Sequence, residues 1–92
     1  MGYYLETNTN HGKAEVLARE LNGSIVTQEE AAAAMNDKNL GVVVVVNNGI
    51  FEAAAFAFNA EEFSAFTNDS RPRRFVVASR NTIKVACNYT GD

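Results

Sequence analysis

Ninety-two residues, 47% hydrophobic and 21% charged, suit one small domain over 1–92 and leave no room for a second core. That balance excludes an intrinsically disordered chain, and no apolar stretch is long enough to span a bilayer. The formal net charge of −3 argues against a surface that is basic throughout, and the single cysteine, Cys87, excludes an internal disulfide and cannot make a zinc site alone. The start MGYYLETNTN lacks the basic and long apolar segments of a secretory signal. The expected location is therefore the cytoplasm, with no membrane contact.

Tyr3–Glu6 reads as a first strand. Thr9 or Asn10 then offers a helix cap, and Ala14, Leu17, Ala18 and Leu21 recur at helical spacing over Gly12–Leu21. Asn22-Gly23 is a stop signal, with Gly23 suited to the left-handed position. Ser24–Val26 returns to β-branched residues. Thr27-Gln28-Glu29-Glu30 has the form of a capping box and opens a helix that runs through Ala31–Met35. Asn36–Asn39 breaks it.

Gly41–Phe58, GVVVVVNNGIFEAAAFAF, is the centre of the chain. Five consecutive valines favour a pleated sheet over a helix, and an unbroken run implies a strand buried on both faces. Asn-Gly supplies a tight hairpin turn, and Ile50–Phe58 reads as the partner strand. Alternation puts Phe56, Phe58, Ala54 and Glu52 on one face and Phe51, Ala53, Ala55 and Ala57 on the other. The alanine face is either a floor for a close-packed helix or an open binding face. Asn59-Ala60-Glu61-Glu62 is a second capping signature, with Phe63 and Phe66 on one helix face beyond it. Arg73–Ser79 reads as a strand. Thr82–Tyr89 leans towards a further strand through Thr82, Ile83 and Val85, with a short helix after Ser79 as the alternative. The expected fold is α+β (α/β-like): a mixed four- to five-stranded sheet around hairpin 41–58, with two to three helices packed on it.

The chemical inventory is thin. His11, the only histidine, sits beside Gly12 and Lys13 in a loop, but GxxxxGK[ST] is absent. Glu29-Glu30 and Glu61-Glu62 lie in helical first turns, where carboxylates complement the macrodipole. No nucleophile–base set can be assembled, so no enzyme activity, cofactor or metal site is expected. Charge is divided unevenly: residues 1–69 carry three basic and ten acidic side chains, and residues 70–92 carry five basic and one acidic. The basic cluster Arg71, Arg73, Arg74 and Arg80, with Lys84 beyond, is the candidate partner-binding set, since guanidinium groups pair bidentately with carboxylate or phosphate. Alternation along a strand would point Arg73 and Arg74 to opposite faces.

Asn47–Val77 combines NG-x-FEAA, an aromatic strand, the helix pattern EEF-x-AF and an RP-containing loop. In these elements it resembles short, uncharacterised bacteriophage accessory proteins of the host-takeover and anti-defence type, over about a third of the chain. The resemblance implies a phage or prophage origin and carries no catalytic residues. It favours a non-enzymatic protein-binding module, an inhibitor of a host defence protein or a self-associating homodimer. Nucleic-acid binding through the arginine cluster is the alternative.

Overall fold

The valine run forms β3 (Leu40–Asn47), which lies between β4 (Glu52–Ala57) and β5 (Arg73–Ser79) and pairs antiparallel with both. The structure is a computed structural model that describes residues 4–7, 13–47, 52–68 and 73–86. β1 (Tyr4–Thr7) pairs with β4 and β2 (Ser24–Val26) with β5, giving a five-stranded sheet of order β1-β4-β3-β5-β2. The α+β class and the central place of the valine strand are as expected. The sheet is not mixed, however, because every neighbouring pair is antiparallel. β1 and β2 run in the same direction but sit at opposite edges, so the unit that joins them spans the whole sheet. The Asn48-Gly49 turn lies outside the described residues.

Among the described residues four helices cover the sheet: α1 (Lys13–Glu20), α2 (Gln28–Ala34), α3 (Ala60–Thr67) and α4 (Arg80–Ala86). They divide between its faces. Val43 and Val45 of β3 join Ala54, Phe56, Val76 and Ala78 under α1 residues Ala14 and Leu17, with Ile83 of α4. Val42, Val44 and Val46 point the other way, to Ala57 and Phe75 beneath Ala31 of α2 and Phe63 of α3. Phe63 and Phe75 meet with ring centroids 5.8 Å apart, within the range for favourable aromatic pairs. All five valines are buried, each contributing about 1.5–3 kcal/mol of transfer free energy. β4 is buried along its whole length, so its alanine face is a floor for α3 and not an open surface.

The last described element, Arg80–Ala86, is a helix, against the lean towards a strand at Thr82–Tyr89, whose final three residues lie outside the described residues. Ile83 is 0% exposed while Val85 is 75% exposed. A strand would set these two residues on one face, whereas a helix turns them about 200° apart. The topology gives a second reason. β5 is already flanked by β3 and β2, so no free edge remains beside it for a hairpin partner.

Local signals explain the helix ends. Thr27 accepts the Glu30 N–H and the Glu30 carboxylate accepts the Thr27 N–H, completing the capping box. Asn59 likewise accepts the Glu62 N–H, but the Glu62 carboxylate reaches the N–H of Phe58, one residue earlier. At the end of α1, Gly23 N–H donates to Ala18 and Asn22 N–H to Arg19, the pattern of a Schellman turn. Asn22, with φ 56°, takes the left-handed position expected of Gly23. Gly23 is needed for space instead, since a Cβ there would lie 2.4 Å from the Val77 carbonyl oxygen. Gly41 has the same role under α4, where a Cβ would lie 2.9 Å from Ile83 Cδ1.

Gly23→Ala is expected to lower unfolding free energy by about 1–3 kcal/mol through this overpacking against backbone. Thr27→Ala, which only removes a cap, should lower it by about 1 kcal/mol. Urea titrations of the two variants with unchanged m-values check both.

Candidate functional site

β5 carries the arginines and separates them. Arg73 and Arg74 begin it, opposite Val46 and Val45, and Arg80 follows its last residue. Arg73 turns to the α3 side, where its Nη1 donates to the Thr67 carbonyl at the end of that helix. A cation there complements the negative end of the macrodipole. Arg74 turns to the other side and pairs with Glu15 of α1 at 2.9 Å. Arg80 donates from Nε to the Leu40 carbonyl (3.2 Å) and from Nη2 to the Phe58 carbonyl, while its own N–H bonds the Asn39 carbonyl (2.9 Å). It therefore links the start of β3, the end of β4 and the start of α4. The three described members of the expected cluster occupy three different places, each holding another element. Arg71 lies outside the described residues, as do His11 and Cys87.

The hydrogen bond from Arg74, followed by a backbone N–H, holds the Glu15 carboxyl below the ordinary carboxylate range, against a small opposing effect of desolvation. Both partners are half-exposed, so the pair adds little to stability. A depressed folded-state pKa stabilises the fold above the unfolded carboxylate value, and that contribution is lost as pH falls through the folded value.

The opposite end of the sheet from Arg74, where Arg80 sits, holds a cleft of about 250 Å³ lined by Lys38, Asn39, Ser79, Arg80, Asn81 and Lys84. Asp37 shapes its rim by accepting the Asn39 N–H at 2.9 Å. The Lys84 ammonium stands 5.6 Å from the centroid of the Phe58 ring, within cation–π range. Lys38 was not among the residues expected from the sequence. It reaches the cleft from the turn after α2, far along the chain from Arg80, and no local pattern marks it.

α2 and α3 share the opposite face of the sheet from α1 and α4. Their outward side chains are Gln28, Glu29, Glu30, Ala32 and Ala33 on one helix and Ala60, Glu61, Ser64 and Ala65 on the other, with Phe66 half-buried. No lysine or arginine occurs in either helix. Among the described residues no group of three His, Cys, Asp or Glu side chains is arranged to hold a metal ion, and no helix is long and apolar enough to cross a membrane. No family model matches the chain, and neither a curated protein nor a solved structure matches it.

Arg74→Ala is expected to return the Glu15 titration midpoint towards the ordinary carboxylate value and leave the fold intact, as read by carboxyl NMR shifts against pH. Arg80→Ala removes donors from two strand-end carbonyls. It should lower unfolding free energy by about 1–3 kcal/mol and broaden the amide resonances of Leu40 and Phe58.

Proposed function

We propose that the chain is a non-enzymatic protein-binding module that docks through the α2–α3 face onto a basic surface of its partner. The observation that carries this reading is the charge of that face. Glu29 and Glu61 point outward among alanines and serine, with no cation in either helix to neutralise them. Soluble surfaces ordinarily intersperse both signs. Three arginines that could have balanced these carboxylates are engaged elsewhere, Arg73 on the end of α3, Arg74 on Glu15, and Arg80 on two strand carbonyls. Alanine and serine side chains also lose little rotamer entropy when covered, so ordering this surface against a partner is inexpensive.

A foreign partner is favoured over a second copy. A two-fold pairing of this face with itself would oppose carboxylate to carboxylate. The resemblance to phage accessory proteins makes a host protein the partner, and an inhibitory role against host defence fits that origin. Nucleic-acid binding is less favoured, because the dispersed arginines present no continuous basic stripe.

Affinity capture from bacterial lysate with the wild-type chain and with Glu29→Gln/Glu61→Gln tests the reading. A specific protein should be retained by the wild type, released by moderate salt and reduced several-fold in the double variant, while Glu20→Gln on α1 behaves as wild type. Equal capture by all three chains, or salt-sensitive retention of nucleic acid alone, would overturn it.

A further inference from the structure

We propose that the cleft between the α2–β3 turn and α4 is a binding site for a small phosphate group, separate from the acidic docking face. Its lining consists of three cations (Lys38, Arg80, Lys84) and three neutral polar side chains (Asn39, Ser79, Asn81), with no carboxylate. That gathers three basic side chains in one place on a chain whose formal net charge is −3. Two carboxylates near this region are engaged with backbone N–H groups: Asp37 accepts the Asn39 N–H at the rim, and Glu62 accepts the Phe58 N–H.

The donors are already held in place. A guanidinium has five N–H donors, and Arg80 uses one on Nε and one on Nη2 to grip the Leu40 and Phe58 carbonyls. Those two bonds fix its plane and leave three N–H groups available at the cleft among the described residues. Lys84 is held over the Phe58 ring, so its ammonium is also positioned before a ligand arrives. Prior ordering of this kind removes much of the entropic cost of binding. Ser79 and Asn81 add a hydroxyl and an amide, the neutral donors that complete an oxyanion's shell.

Size and charge narrow the ligand class. Pockets for drug-sized ligands and cofactors run from roughly 300 to 1,000 Å³, and this cleft, at about 250 Å³, lies below that range. It fits a phosphate with a small attached group better than a nucleotide. Three cations favour a doubly charged phosphate over a single carboxylate, because charge-assisted bonds strengthen with the anion's charge.

The test is a titration of the full chain with inorganic phosphate, phosphoserine and glutarate at pH 7.5 and constant ionic strength, followed by amide NMR. Phosphate should give saturable shifts centred on Ser79, Arg80 and Asn81. Lys38→Gln and Lys84→Gln should each weaken binding about tenfold. Glu29→Gln/Glu61→Gln should not weaken it. Phosphoserine binding tighter than inorganic phosphate would identify an esterified phosphate as the ligand; equal affinity would identify the free ion. Shifts that never saturate, unchanged affinity in both lysine variants with the fold intact, or tighter binding of glutarate would overturn the proposal.

Discussion

The whole architecture depends on the need to keep both faces of β3 from water. A strand of alternating polarity needs one covering layer; five valines in succession need two. The chain meets that demand by placing α1 and α4 on one side and α2 and α3 on the other. The neighbours of β3 are shaped by the same need. β4 carries small residues towards α3, and Ala54 and Phe56 towards the opposite layer. Gly41 lets Ile83 settle directly on the sheet. Removing the side chain at Gly41 and shortening those at Ala53, Ala55 and Ala57 are two ways of bringing a helix close to backbone.

A second economy runs through the polar groups. Helix starts are satisfied by Thr27 and Asn59 with their partner glutamates, while the carbonyls at the end of α3 and at two strand ends receive arginine. Anionic groups thus gather at the starts of α2 and α3, and a cation at the end of α3, as the helix dipoles favour. Surface charge is the remainder of this arrangement. It leaves α2 and α3 acidic and concentrates cations at the end of the sheet where Arg80 is fixed.

Much of the fold was legible because its signals are local. The valine run, the Thr27 capping box and the Ser24–Val26 and Arg73–Ser79 strands each announce themselves within a few residues. What was not legible depended on distant parts of the chain. Thr82, Ile83 and Val85 favour a strand intrinsically, and only the lack of a free edge beside β5, with the burial of Ile83 against Gly41, makes them helical. The left-handed residue fell at Asn22 because Gly23 was required for close approach to Val77. Alternation separated Arg73 from Arg74, as the sequence suggested, but the carbonyl partners that engage Arg73 and Arg80 could not be read from any spacing. Of the cleft, Arg80 and Lys84 were visible as part of a basic segment. Lys38 was invisible, since folding alone brings the turn after α2 to α4.

The strand order also bears on how the chain assembles as it is made. Both edge strands come from the first 26 residues, yet β1 pairs with β4 and β2 with β5, so neither has its sheet partner when it leaves the ribosome. Among the described strands, β3 and β4 are the one pair that can close locally. The other side of the valine strand waits for residues 73–79. In that interval an uncharged, β-branched edge is open, the kind of segment that invites pairing with another chain. The feature that makes the finished core so dense is also the point of greatest exposure during synthesis.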